Sequence, residues 1–169
     1  MRFSDFPEFR PNVTPRQMFA GGAFGGTYWR PISSRTTGRR HRLAHKRIEA
    51  IADLPSELLA SKRCDPSVNK FGVASGTSLE YWESKGWMRK QDPYGWVQWY
   101  CKFCAGRRTP DDRRQVDRWL ALAGPSGRFR ASLINKVRRA RARATDPSIS
   151  PRIRQTLWQW GYKLTAAHL

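Results

Sequence analysis

The stretch DPYGWVQWYCKFCAG, Asp92 to Gly106, constrains this chain most, because its apolar residues repeat at helical spacing on two adjacent faces. Trp96, Trp99, Tyr100 and Phe103 stand at i, i+3, i+4 and i+7, one stripe of an α-helix. Val97, Cys101 and Cys104 form a second stripe, leaving Gln98 and Lys102 as the polar interior positions. A helix so widely apolar is normally surrounded by protein, so the spacing predicts a central core helix. Asp92 is its expected N-cap, Pro93 its first helical position, and Gly106 the left-handed residue that ends it.

What surrounds that helix is strongly basic. Across 169 residues there are 32 Lys and Arg against 13 Asp and Glu, a formal charge of +19. Self-repulsion at that charge is offset by a polyanion, which makes nucleic acid, DNA or RNA, the expected partner. A membrane surface fits less well, since no clean basic amphipathic helix opens the chain, and no run approaches the length of a membrane span. Eight Trp, eight Phe and five Tyr supply the apolar surface that a disordered basic tail lacks. Three Cys, an odd number, and the absence of a secretory or presequence pattern point to an intracellular protein, in cytoplasm or nucleus.

The chain reads as one mainly α-helical domain over residues 1–169, with about six short helices around the aromatic one. Residues 1–13 form an extended arm whose Phe3, Phe6 and Phe9 pack on the core. Thr14-Pro15-Arg16-Gln17 is a capping box opening a short helix. The glycines of GGAFGG then imply a turn that brings Tyr28 and Trp29 inward; the segment lacks the Lys-Ser/Thr ending and flanking strand of a phosphate loop. Residues 33–47 hold six Lys or Arg, two His and no acid, and are expected as a basic mobile loop. Short helical patterns follow over Leu43 to Ala52 and Ser56 to Lys62, with an irregular connection from Cys64 to Gly76. Thr77-Ser78-Leu79-Glu80 reads as a second capping box, with Leu79 and Trp82 facing the core and Glu83 facing solvent. Thr109-Pro110-Asp111-Asp112, Ser126 or Gly127, and Ser150-Pro151 open three further helices. Their apolar stripes are Val116, Trp119, Leu120 and Ala123; Phe129, Leu133, Val137 and Ala140; and Ile153, Leu157 and Trp160.

From Gly127 to Arg154 there are nine Lys or Arg and one acid. Arg128, Arg130, Arg138, Arg139, Arg141 and Arg143 lie off the apolar stripe and Lys136 at its edge, where an ordinary exposed helix would carry balancing Glu. With Arg39, Arg40, Arg42, Lys46 and Arg47 of the basic loop, and Arg107 and Arg108, they form the expected phosphate-contacting set. The turn Ala123-Gly124-Pro125-Ser126-Gly127-Arg128 resembles helix-hairpin-helix and G-x-x-G loops, which offer backbone N–H groups to phosphate. Gly124 and Gly127 therefore join the set, although the spacing also fits a helical hairpin with ordinary caps. Cys101-x-x-Cys104, with Cys64, His41 and His45, lacks a second Cys pair, so the thiols read as core residues; no metal or cofactor is expected. Asp111, Asp112 and Asp117 are the only grouped carboxylates that could hold Mg²⁺ for phosphodiester chemistry, and the same residues suit the first turn of a helix and pairing with Arg113 or Arg114. Trp87, Tyr94 and Trp158 are candidates to stack on unpaired bases.

The stretches Phe6-Pro7-Glu8-Phe9-Arg10-Pro11-Asn12, Gly25-Gly26-Thr27-Tyr28-Trp29-Arg30-Pro31-Ile32 and Asp92 to Cys101 resemble a family of uncharacterised intracellular proteins, many of them fungal. Gly106-Arg107-Arg108 and Arg154-Gln155-Thr156-Leu157 extend the likeness over most of the chain. The resemblance implies a single domain and carries no activity or site residue with it. The leading expectation is a non-catalytic nucleic-acid-binding protein. A nucleic-acid-processing enzyme, or a small basic subunit of an RNA-rich assembly, are the alternatives.

Overall fold

A computed structural model describes the whole sequence, Met1 to Leu169, as a mainly α-helical single domain. At its centre is the aromatic helix, Trp96–Cys104, which we designate α4; every residue from Trp96 to Cys101 is buried, together with Phe103. Gly106 takes φ 97°, and Arg107 and Gly106 donate their backbone N–H groups to the carbonyls of Lys102 and Phe103, a Schellman ending.

The start of α4 differs from the expectation. The residue before the first helical turn is Gly95 (φ 80°, ψ −145°), not Asp92, because the dry N-terminus takes its acceptor from elsewhere in the chain. The Tyr28 hydroxyl accepts from the backbone N–H of Val97 (3.1 Å) and Gln98 (3.3 Å) and donates to the Tyr94 carbonyl. The Gln98 side chain in turn accepts from the Tyr94 N–H at 3.0 Å. Asp92, 1 % exposed, is thereby freed to bridge Lys102 Nζ (3.0 Å) and the Arg107 guanidinium (Nη1 2.9 Å). Gly95 is required by its backbone, since φ 80° with ψ −145° is a conformation that a residue with a Cβ rarely adopts.

The remaining elements wrap this helix. The arm lays Phe9 edge-on against Trp119 (centroids 5.1 Å) and Phe103 (5.6 Å), and Phe3 against Phe103 (4.9 Å). Asn12 and Val13 donate backbone N–H groups to the Gly161 carbonyl (2.9 and 3.0 Å), joining the two ends of the fold. Helix α1, Pro15–Ala20, has the expected capping box between Thr14 and Gln17. Gly22, Gly25 and Gly26 adopt positive φ in the turn that delivers buried Tyr28 and Trp29.

Residues expected as a mobile basic loop instead form a hairpin, β1 (Ile32–Ser34) antiparallel to β2 (Arg39–His41), followed by a 3₁₀ turn at Ala44–Arg47. Its physical anchor is Glu83, which accepts from Ser34 Oγ (2.8 Å), Thr36 N (3.1 Å) and Thr36 Oγ1 (3.1 Å) and so does not face solvent. Helix α2 is the single turn Ser56–Leu59. Glu83 sits on α3, Leu79–Ser84, capped by Ser78 through the Tyr81 N–H; with the cap one residue later than expected, Glu80 is too early to complete a box.

Helix α5 (Asp112–Ala123) packs on α6 (Arg128–Arg139) and α6 on α7 (Pro151–Gln159), while α4 is joined to α5 by the Trp99–Asp112 hydrogen bond and to α7 by Trp96 Nε1 donating to the Gln159 carbonyl at 3.1 Å. Ser126 does not cap α6, whose N-cap is Gly127, and Ser150 precedes α7 in the left-handed region without a side-chain cap bond. Helix α6 buries Leu133 and Val137, with Ala140 exposed just beyond its end. Helix α7 buries Arg154, Gln155, Leu157, Trp158 and Gln159, a more polar face than the expected stripe. Gln155 donates to Gln159 Oε1 at 3.0 Å and accepts from the Phe71 N–H at 3.0 Å, so these amides brace loop 69–76. No helix is long and apolar enough to cross a membrane.

Tyr28→Phe removes the shared acceptor of α4 while keeping the ring. It leaves two buried N–H groups and the Tyr94 carbonyl short of partners, and should cost about 2–3 kcal/mol. We expect the melting temperature to fall by roughly 5–10 °C, read by circular dichroism against wild type.

Candidate nucleic-acid interface

The cations of the molecule divide into those paired with an acid and those that are not. Of the expected phosphate contacts, Arg107 is half-buried on Asp92, and Arg108 pairs with Asp5 while its guanidinium lies 3.8 Å from the Phe103 centroid. Both are used in fastening the arm and the end of α4. Asp5 is held below the usual carboxylate range, chiefly by its hydrogen bond from Arg108.

The proposed catalytic carboxylates are likewise structural. Asp112 is 3 % exposed and accepts from Trp99 Nε1, Thr109 N and Thr109 Oγ1, each at 2.8 Å. Its oxygens are therefore occupied by core and cap donors. Asp111 accepts from Arg114 (2.6 and 2.8 Å) and Gln115 (3.1 Å); burial works to raise its ionisation, and Arg114, Gln115 and Arg89 outweigh it. Asp117 pairs with Arg113 at 2.7 Å. No three His, Cys, Asp or Glu side chains come together where they could hold a metal ion. Cys101 is buried, and desolvation pushes its thiol well above the ordinary value, as it pushes half-buried Cys104 up to about 12.

The uncommitted cations are elsewhere. Arg128, Lys136, Arg138 and Arg139 are exposed on α6, and Arg141 and Arg143 are exposed in the turn beyond it. None forms an ion pair; Arg138 donates to the Leu169 backbone oxygen, and Arg130 is half-buried with its guanidinium 5.0 Å from the Tyr162 centroid. The second group, Arg39, Arg40, Arg42, Lys46 and Arg47, is exposed on the hairpin and the turn after it, again without ion pairs. Lys46 donates to the Ala52 carbonyl at 3.0 Å.

A cleft of two adjoining arms reaches Ile32 at the foot of the hairpin and Arg128 at the start of α6. One arm, about 420 Å³, starts at the foot of the hairpin and is lined by Arg30, Ile32, Lys62, Leu79 and Trp82 among others. It shares Phe24, Tyr28, Ser75, Gly76, Thr77 and Trp82 with a second arm of about 590 Å³. That arm has Tyr81, Trp82, Trp87 and Met88 on the α3 side, and Arg118, Leu122, Arg128, Phe129 and Trp160 on the opposite side. No carboxylate lines either arm.

Arg118 is the central charge of the cleft. Its guanidinium is 5.5 Å from the Trp87 centroid and 5.4 Å from that of Trp160, and its hydrogen bond goes to neutral Gln115 Oε1 at 3.0 Å. Burial, then nearby Arg114, push its ionisation down to about 10, which leaves it cationic at neutral pH. An Arg without a carboxylate partner, between two indoles, has attraction to spare for an anion. Of the stacking candidates, Trp87 is 39 % exposed in the second arm; Tyr94 borders the first arm but is buried, as is Trp158, and the polar atoms of both are bonded to backbone carbonyls. Trp160, expected in the core, is a half-buried wall stacked on Trp96 at 4.4 Å. Trp160 belongs to the apolar stripe of α7 and so reads as core, whereas Arg118 falls beside the stripe of α5; a sequence signal for Arg118 exists, since positions 114, 115, 121 and 122 offer it no acid.

Gly124 and Gly127 join α5 to α6 with φ near −61° at both, so the left-handed region is not the reason for glycine. Close backbone approach is: a Cβ on Gly124 would lie 2.6 Å from the Leu120 carbonyl oxygen, and one on Gly127 2.6 Å from the Leu122 carbonyl carbon. The pair is explained by packing of the helical hairpin, without a phosphate. No protein-family model, curated protein or solved structure matches this chain, so the roles of its residues rest on its own geometry.

Gly127→Ala should destabilise the fold by about 2 kcal/mol through that backbone clash. A thermal melt about 4–8 °C lower than wild type is expected. Nucleic-acid affinity of the folded fraction should stay within a factor of about two, whereas a glycine that cradled phosphate would lose affinity first.

Proposed function

We propose that this protein binds nucleic acid through its basic surface without chemically altering it. The observation that carries the reading is the distribution of ion pairs: Asp92, Asp5, Glu8, Asp111 and Asp117 hold cations of the core, the arm and α5, while α6 and the hairpin present exposed Arg and Lys in no ion pair with a carboxylate side chain. Such groups lie where phosphates can reach them, and release of the counterions condensed on a polyanion supplies the affinity. Arg predominates, and its planar fork contacts phosphate oxygens in pairs. The three free thiols suit a reducing intracellular compartment, where nucleic acid is the abundant polyanion. The saturated bonding of Asp112 and the pairing of Asp111 and Asp117 favour binding over hydrolysis as the role of this surface.

The reading predicts a steep salt dependence. Binding of polyanion-free protein to a short duplex, followed by fluorescence anisotropy, should weaken linearly in log K against log salt, with a slope of about −0.9 per neutralised phosphate. In Arg139→Gln/Arg143→Gln the slope should become shallower by about 2, and affinity should fall alike for every duplex sequence. A slope unchanged in that variant would remove α6 from the interface.

A further inference from the structure

We infer that the cleft beside Arg118 is a pocket for an unpaired base, making single-stranded or locally opened nucleic acid the favoured form. This rests on the nucleic-acid reading of the basic surface and adds to it a site for the base itself. The second arm of the cleft, about 590 Å³, falls inside the roughly 300–1,000 Å³ typical of ligand clefts. Its walls are the materials that recognise a splayed base: indole and phenyl rings to stack on, and a guanidinium plane among them.

Charge complementarity points to a nucleotide rather than to an apolar peptide or lipid. Arg118 is half-buried, cationic and without an acidic partner, while Arg128 stands exposed at the rim with its guanidinium 4.9 Å from the Phe129 centroid. Arg30 and Lys62 line the connected arm. A purely apolar occupant would leave Arg118 desolvated and unpaired, at a cost that a phosphate or the carbonyl edge of a base avoids. Position agrees with chemistry. One arm is lined by Ile32 of β1 and the other by Arg128 at the start of α6, so each arm borders an element that carries one of the basic groups. Trp87, the most exposed Trp of the chain, stands on the α3 wall, and Tyr81 meets it edge-on at 5.8 Å. Duplex DNA keeps its bases stacked inside and can use only the phosphate-binding rim.

The test compares three probes of equal length over one common series of salt concentrations: a short oligothymidine strand, the same strand made abasic throughout, and a duplex. Wild type should bind the intact strand about ten-fold or more tightly than the abasic one, from the stacking energy of a base on aromatic rings. Trp87→Ala should close most of that gap and leave duplex affinity unchanged, with fold checked by far-UV circular dichroism. Arg118→Gln, which keeps a polar chain beside Gln115, should weaken the intact strand several-fold more than the duplex. Equal wild-type affinity for intact and abasic strands would overturn the base pocket and leave the basic-surface reading standing, since that comparison needs no variant. Absence of salt-dependent binding to all three probes would overturn the nucleic-acid reading itself, and the pocket with it.

Discussion

The N-terminus of α4 has to be satisfied in a place with no water, and much of the fold follows from how this is done. Peptide N–H groups at the start of a helix have no intrahelical acceptor, and leaving them dry and unpaired is costly. One phenolic oxygen, from Tyr28, accepts from both Val97 and Gln98. Burial pushes the Tyr28 hydroxyl well above its ordinary ionisation range, so it stays neutral and keeps the proton it donates to Tyr94. Delivering that oxygen requires the left-handed glycines between α1 and the hairpin. Releasing Asp92 from capping lets it hold Lys102 and Arg107, which secure the other end of the same helix.

The acids are few, and their placement determines the surface. Asp92 and Asp112 are consumed within the core, Asp5 and Glu8 tie the arm to Arg108 and Arg113, and Glu83 holds the hairpin to α3. The exposed pairs among these contribute little energy individually, but they fix which cations are occupied. The cations of α6 and the hairpin are left without an ion pair, as are others such as Lys62, Arg63, Lys85 and Lys90 near α3. Beside α3 lies a cleft with aromatic walls and no lining carboxylate, and Asp111, the acid that acts on its Arg118, is itself paired with Arg114.

The fold was legible where the determinant is local. Helical periodicity exposed α4 and the stripes of α5 and α6, and the Thr14 capping box was read residue by residue. It was illegible where the partner is distant in sequence. Nothing near Asp92 says that Tyr28 will replace it as the acceptor, and nothing in residues 33–47 says that Glu83 will hold them as a hairpin. The same applies to the site. Acid-free α6 is visible as a composition bias, whereas the cleft arises only when α3 is set against α5, α6 and α7. Arg107, Arg108 and Asp112 read as functional because charge count treats every charged side chain alike; burial and pairing distinguish them.

The junction of Asn12 and Val13 with Gly161 and Lys163 has a kinetic consequence for a chain made from its N-terminus. Phe9 and the aromatic face of α4 acquire their full cover only when α5 and α7 are present, so more than half of the polypeptide waits for the last segment before its core can close. Contacts spanning this much sequence slow folding. During that interval a chain rich in indole and phenyl surface carries a large excess of like charge, and mutual repulsion between nascent copies opposes their association. Positive charge that repels itself in the finished fold thus protects the unfinished chain.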